Sequence, residues 1–376
     1  MKVVYRCICF WLASLFPMSG FAQENADSVA QTYKHNNAVF YDLSYIGDFV
    51  GNASGGLKTG IAYLGYAQFG LGIDFEELGW WKGGKLFVKG GNTHGGTPSE
   101  TLLGDYQVAD NIEAGNHTFL QELWFEQKLK TVTLRLGMQD FNADFAVCEA
   151  SQLLLNSSFG IHSSLCSNIT LPIFPTMAWA FNINWDITPE MYIRAGIYDS
   201  PIPIEENPYN IKWRFSKEKG FITSAEYGYN SLIKDHLPGH YSIGATYHTA
   251  EKEFCIHLCA EQTIWEHKQR SIELFIMSAL CKKDIEENNN HFHIGGGVVL
   301  NKVFSKRGRD ILSLGVTSAV MANTLHNETA IELSYCYQVH DNISLQPDIQ
   351  YIIKPMGIGV PLKNALFLAL RTEIAL

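Results

Sequence analysis

Apolar and polar residues alternate with a period of two along most of this chain. In 131–138, Val132, Leu134, Leu136 and Met138 share one face, and Thr131, Thr133, Arg135 and Gly137 share the other. In 190–198, Met191, Ile193, Ala195 and Ile197 oppose Tyr192, Arg194, Gly196 and Tyr198. In 329–337, Ile331, Leu333, Tyr335 and Tyr337 oppose Glu332, Ser334 and Cys336; in 343–351, Ile343, Leu345, Ile349 and Tyr351 oppose Ser344, Gln346, Asp348 and Gln350. Successive side chains of a strand point to opposite faces, so each stretch predicts a strand with one apolar side. Runs of about 8–10 residues suit a membrane-crossing strand, whereas strands of soluble sandwiches average about 5–6. The last stretch keeps Leu366, Leu368, Leu370, Thr372, Ile374 and Leu376 in one phase to the end. A terminal strand in phase at its last residue suits barrel-assembly machinery, although Leu376 stands where an aromatic residue is usual.

The connections look unequal. Short turns are expected at 129–130, 186–189, 217–220, 305–309 and 340–342, and longer segments at 92–117, 141–174, 200–208, 229–239 and 355–363. Short periplasmic turns and long outer loops are the pattern of outer-membrane barrels. The rhythm breaks between 249 and 290, where neither side can be assigned. About 17 candidate strands can be drawn, and the even number of bacterial single-chain barrels selects 16. The expected fold is therefore all-β, a transmembrane antiparallel barrel of about 16 strands over 38–376.

Composition agrees with that pattern. Hydrophobic residues make up 46% and the mean hydropathy is −0.04, because alternation hides apolar content that a helical membrane protein would display in long runs. The N-terminus differs from the rest. Lys2 and Arg6 precede a short apolar core from Cys7 to Phe16, and Gly20-Phe21-Ala22 offers small residues for cleavage. Residues 1–22 read as a signal peptide and 23–37 as a polar extension. Export removes two basic residues and no acid, so 26 basic against 38 acidic residues leave −12 where the full chain carries −10. An acidic chain excludes nucleic acid as a partner. Six cysteines remain after export, without metal-binding spacing. Cys148 and Cys166 share one expected loop and could pair; free thiols are the alternative.

Several stretches in order carry a family resemblance. They are Gly79-Trp80-Trp81-Lys82-Gly83-Gly84 with His94-Gly95, then Glu122-Leu123-Trp124-Phe125-Glu126-Gln127, then Leu134-Arg135-Leu136-Gly137 and Asp140-Phe141-Asn142-Ala143-Asp144-Phe145. Asn156-Ser157-Ser158-Phe159-Gly160, Phe174-Pro175 and Leu345-Gln346-Pro347-Asp348-Ile349-Gln350-Tyr351-Ile352 follow. Together they resemble the OprB-like carbohydrate-selective porins, from about residue 47 to the end, with 250–330 matching poorly. The resemblance implies a 16-stranded barrel, passive uptake of mono- and oligosaccharides, and a constriction lined by charged and aromatic residues. It leaves a homotrimer open, since no stretch marks a trimer interface.

The residues themselves suggest where a sugar would bind. Parity puts Glu122, Trp124 and Glu126 on the lumen face of one strand and Arg135 on that of the next. A turn near 129–130 sets Arg135 opposite Glu122 or Trp124. Ions that bond hydroxyls beside an indole that stacks on a sugar ring make a binding set; a structural ion pair stiffening the wall is the other reading. Segment 141–174 is the expected inward loop, entered through Asp140, Asn142 and Asp144, and Arg194 adds a lumen-facing charge. Asp-x-Asn-x-Asp also resembles the start of a calcium loop, but the glycine and distal glutamate are missing, so no metal or other cofactor is expected. The alternatives to a sugar channel are a general porin for small polar solutes, or an outer-membrane hydrolase using His162 and Ser164.

Overall fold

The computed structural model describes residues 34–36, 38–215, 218–268, 270–282, 290–305, 309–321 and 327–376. The cleavage site expected after Ala22 lies outside the described residues. A short strand, β1 (Lys34–Asn36), pairs with the start of β2 (Val39–Ser54). The barrel continues as β3 (Gly60–Asp74), β4 (Gly84–Gly95), β5 (His117–Leu129), β6 (Val132–Gln139), β7 (Ala178–Asp186), β8 (Met191–Asp199), β9 (Phe221–Ile233) and β10 (Leu237–His248). It is completed by β11 (Glu253–His267), β12 (Arg270–Cys281), β13 (Asn290–Asn301), β14 (Asp310–Met321), β15 (Glu328–His340), β16 (Ile343–Ile353) and β17 (Ala365–Ala375). Each strand pairs antiparallel with the next, and β17 pairs back onto β2, with Ala375 opposite Ser44 and Leu370 opposite Phe49. The 16 strands β2 to β17 thus close a barrel. Closure leaves no strand edge unpaired in lipid, where no water can satisfy it.

The period-two pattern sorts residues as expected. Along β16, Ile343, Leu345, Pro347, Ile349 and Tyr351 are exposed on the outside, while Ser344, Gln346, Asp348 and Gln350 are buried within. In β6, Leu136 is exposed outside, whereas Thr133 is buried and Arg135 points inward.

The connections alternate between the two rims. One rim carries 130–131, 187–190, 234–236, 302–305 and 341–342, and the other carries 96–116, 140–177, 200–215 and 354–364. Three expectations change here. The described residues 218–220 are no separate short turn between strands but lead directly into β9, and the span between β8 and β9 is longer than the expected 200–208; residue 217 lies outside the described residues. Segment 229–239 is no long loop; β9 and β10 pair through it as far as Ile233 and Leu237. The break in rhythm after 249 is a short connection, 249–252, on the long-loop rim.

Strands β6, β7 and β8 span only 8, 9 and 9 residues, which leaves the wall low beside β5. Connection 200–215 fills that notch. Leu120 N–H donates to Tyr209 O at 3.0 Å, and Asn210 Nδ2 donates to Leu120 O at 3.0 Å, which imitates a missing strand.

Two long connections, 96–116 and 140–177, fold into the lumen and form apolar cores against the inner wall. Leu103, Ala109, Ile112 and Leu155 pack with Val50, Leu64, Phe119 and Phe367. Leu153, Leu154 and Phe159 pack with Phe275, Met277 and Val299. Phe141, Phe145, Leu165 and Ile169 pack with Tyr198 and Ile222. Gly315 is what lets Leu154 and Phe159 seat, since a Cβ there would lie 2.5 Å and 2.6 Å from them.

The structure answers the question left open at Cys148 and Cys166 and places a disulfide elsewhere. Cys255 and Cys281 pair across β11 and β12, where they are register partners with Cα atoms 4.0 Å apart. Cys148 and Cys166 are free, because the loop turns between them and docks the two thiols in different apolar clusters.

Candidate pore-lining site

Register fixes the first group. The β5–β6 turn falls at 130–131, with Lys130 at φ 58°, so Arg135 stands opposite Glu126, not opposite Glu122 or Trp124 as the sequence suggested. Arg135 Nη2 and Nε donate to Glu126 Oε2 at 2.8 Å and 3.1 Å. Its Nη1 reaches both oxygens of Asp144 at 3.2 Å. The guanidinium also lies 4.7 Å from the Trp124 ring centroid. Trp124 faces Gly137, where a Cβ would approach Trp124 Cα to 2.6 Å; φ there is +143°, which suits glycine. The indole Nε1 donates to Glu122 Oε2 at 2.7 Å, and Glu122 is the register partner of Lys89.

The inserted segment brings in the rest. Asp140 accepts from Asn142 N–H at 2.8 Å and so caps the turn at the mouth of the segment. Asp144 also accepts from Asn182 Nδ2 at 2.9 Å, and Arg194 Nη1 donates to the Asp144 carbonyl at 2.9 Å. Arg194 lies 4.3 Å from the Tyr192 ring centroid. Six of the eight expected residues, Glu122, Trp124, Glu126, Arg135, Asp144 and Arg194, are thus linked by ion pairs, rings or hydrogen bonds in one lumen region, while Asp140 and Asn142 bond each other in the turn beside it. Asn142 closes its own turn, with Nδ2 directed at Phe145 O.

Sequence reasoning missed the polar chain that continues round the wall. Tyr192 Oη donates to Glu226 Oε1 at 3.2 Å and lies 2.9 Å from His240 Nε2. Glu226 Oε2 stands 3.2 Å from His257 Nε2 and accepts from Ala146 N–H at 3.1 Å. Glu261 accepts from Ala150 N–H at 2.8 Å and pairs with His240 at 3.4 Å. Glu332 accepts from the backbone of Leu155 and Asn156, and Glu328 from Tyr106, Gln107 and Met356. Arg371 bonds Asp48, Asp110 and Asn111, tying 96–116 to the wall. Alternation marked these side chains as inward, but nothing local named their partners.

The hydrolase alternative fails on geometry. His162 is fully buried and its Nε2 faces Leu258 O at 3.4 Å, while Ser164 Oγ donates to Ala279 O at 3.0 Å. Burial, then His293 and His257, hold the imidazole well below the ordinary histidine value. Of the calcium-like residues, Asp144 is committed to Arg135 and Asp140 to its own turn. Among the described residues no cluster of three or more metal-ligating side chains forms.

Burial pushes Glu113 up to about 7, Asp105 to about 6 and Asp140 to about 7. Ordinary values are about 4.3 for Glu and about 3.9 for Asp. The docked segments thus bind more protons than free ones between roughly pH 4 and 7, so their docking weakens as pH rises through that window. Amide exchange in 96–116, corrected for its intrinsic rate, should be slower at pH 5 than at pH 8. Equal protection at both values would remove these carboxyls from the docking balance.

A closed antiparallel barrel, apolar outside, polar inside and narrowed by two inserted segments, is a membrane channel of the porin class. The family model for the carbohydrate-selective porin, OprB family, matches residues 58–254 and 251–376. The chain belongs to this family. Porin B of Pseudomonas aeruginosa is 22% identical over 409 residues, covering 89% of this chain and 86% of that one. The putative porin QuiX of Acinetobacter baylyi is 24% identical over 322 residues, covering 69% and 70%. The high-pH structure of Pseudomonas putida OprB superposes with a TM-score of 0.81 at 19% identity, covering 91% of this chain and 95% of that one. Its low-pH structure gives 0.61 at 18% identity, covering 94% and 97%. The protein is an outer-membrane carbohydrate channel, not an enzyme.

Proposed function

We propose that mono- and oligosaccharides cross this barrel passively, against the surface formed by Glu122, Trp124, Glu126, Arg135, Asp140, Asn142, Asp144 and Arg194. The observation that carries this is the Arg135 guanidinium held between Glu126, Asp144 and the Trp124 ring. Fixed charges offer hydroxyl partners, and the Trp124 indole, buried against Phe87, backs the guanidinium and sets its position. Single-channel recording with a sugar panel tests it. Sugars should block the wild-type current, and Trp124→Ala should weaken that block while leaving a conducting channel. Equal conductance and no block by any sugar would favour a general porin for small polar solutes.

The mature chain is proposed to begin at Gln23, exported by a cleaved signal peptide and inserted by barrel-assembly machinery; the intact mass of the purified channel reads the start directly. A homotrimer is also proposed, and the outer wall supports it. Tyr45 Oη bonds Tyr63 Oη and lies 3.1 Å from His94 Nε2, His94 Nδ1 lies 3.1 Å from Asn92 Oδ1, and Asn92 Nδ2 donates to Thr118 at 2.7 Å. This polar patch sits over Gly47 and Gly65 on the lipid-facing side of β2 to β5, beside Ile61, which is 90% exposed. A cysteine placed at Ile61 should cross-link copies of the chain in the membrane, and only monomer after oxidation would remove this face from any assembly.

A further inference from the structure

Cys148 opens the turn Glu149–Leu153 of the inserted segment. It is docked against β11 beside Cys259, and neither side chain is more than 1% exposed. Two features of β11 hold it there. Glu261, on the same inward face as Cys259, accepts from Ala150 N–H at 2.8 Å and from Cys148 Sγ at 3.6 Å. Cys259 stands two residues before Glu261 on that same face and is buried in one apolar cluster with Cys148. On the other side of Cys259, His162 Nε2 lies 3.9 Å from its sulfur. A loop cysteine and a wall cysteine thus meet in one apolar cluster, in a protein whose outer-membrane location puts it outside the reducing cytoplasm.

We propose that Cys148 and Cys259 form a second disulfide, which latches the inserted segment to the barrel wall. The oxidant is a disulfide of the export compartment, carried by a protein or a small thiol. One cysteine thiolate attacks it, forming a mixed disulfide and releasing one oxidant thiol. The other thiolate then attacks the cysteine sulfur of that mixed disulfide. The intramolecular S–S bond forms, the second oxidant thiol leaves, and both cysteine protons pass to the solvent or to the departing thiolates. Contact with Cys259, and then burial, hold the Cys148 thiol well above its ordinary value once the segment is seated. The exchange therefore belongs to assembly, before docking shuts both sulfurs away. A covalent tie would fix the segment where hydrogen bonds alone would let it open.

Protein purified with free thiols blocked at lysis, then alkylated under denaturing conditions and mapped by peptide, decides this. The expected pattern is alkylation at Cys166 and Cys336 only, with a Cys148–Cys259 cross-linked peptide that disappears on reduction, alongside Cys255–Cys281. Alkylation at Cys148 and Cys259 as well, or a cross-link from Cys148 to any other cysteine, overturns the proposal. A Cys148→Ser channel should leave Cys259 alkylated and show more frequent current fluctuations than wild type; Cys259 still disulfide-bonded and unalkylated in that variant would also overturn it. If that variant does not assemble, the wild-type map decides alone.

Discussion

In a Cys148→Ser background, replacing Glu332 and Glu261 together by alanine should release the segment 140–177 from the wall and raise both the mean conductance and the current noise of the channel. These two carboxylates hold the segment at separate points. Glu332 accepts from the backbone of Leu155 and Asn156, and Glu261 accepts from Ala150 N–H at 2.8 Å. Leaving a buried backbone N–H without its acceptor costs about 1–3 kcal/mol, so the three orphaned amides remove roughly 3–9 kcal/mol from docking. Moving a two-state element from 99:1 to 1:99 takes about 5.5 kcal/mol, so the double variant lies near or past that threshold. Glu332→Ala alone removes two bonds and should give intermittent opening. Glu332→Gln keeps a neutral acceptor and should lie nearer wild type. The apolar contacts of Leu154 and Phe159, and the Gln346 Nε2 bond to Leu153 O at 2.6 Å, remain in every variant. Conductance and amide exchange in 140–177 that both stay at wild-type values in the double variant would show that apolar packing alone holds the segment.

Strand identity was legible because lipid outside and water or loop inside impose opposite demands on neighbouring residues. Ile343 to Tyr351 and Leu366 to Leu376 announce their outward faces directly. Register was less legible. Moving the turn from 129–130 to 130–131 changes the partner of Arg135 to Glu126, and only the left-handed backbone at Lys130 decides it. Cysteine pairing was illegible for a related reason. Cys148 and Cys166 are close in sequence, but the chain between them turns and docks on different strands. Cys255 and Cys281 are far apart in sequence, yet stand about equally far from the β11–β12 turn, so antiparallel pairing brings them together. The wall carboxylates that hold the inserted segments were visible only as inward polar positions. Their partners are backbone amides up to 222 residues away, and a backbone amide carries no sequence signature.

Replacing Arg135 by alanine should weaken sugar block by up to about tenfold and raise the preference for cations over anions. The first effect follows from losing the one cation that lies against Trp124. A tenfold change corresponds to about 1.4 kcal/mol, less than the roughly 1.5–3 kcal/mol of a single charge-assisted hydrogen bond, because water in the pore competes for every sugar hydroxyl. The second effect follows from what stays behind. Glu126 loses its only ion-pair partner among the described residues, and Asp144 keeps only neutral donors such as Asn182 Nδ2 at 2.9 Å. Carboxylates left unpaired beside a pore attract cations, as acidic rings do in channels generally. The pair is partly sheltered, with the Arg135 and Glu126 side chains 12% and 7% exposed, so its field is screened less than that of surface charge. Arg135→Lys separates the two effects. It keeps the positive charge but loses the planar fork that spans Glu126 and Asp144, so ion preference should stay near wild type while sugar block weakens. Reversal potentials in a salt gradient read the first quantity and current block by a sugar series reads the second. Arg135→Ala channels with unchanged block and unchanged reversal potential would place Arg135 away from the path of both solutes and reduce its ion pairs to struts of the barrel wall.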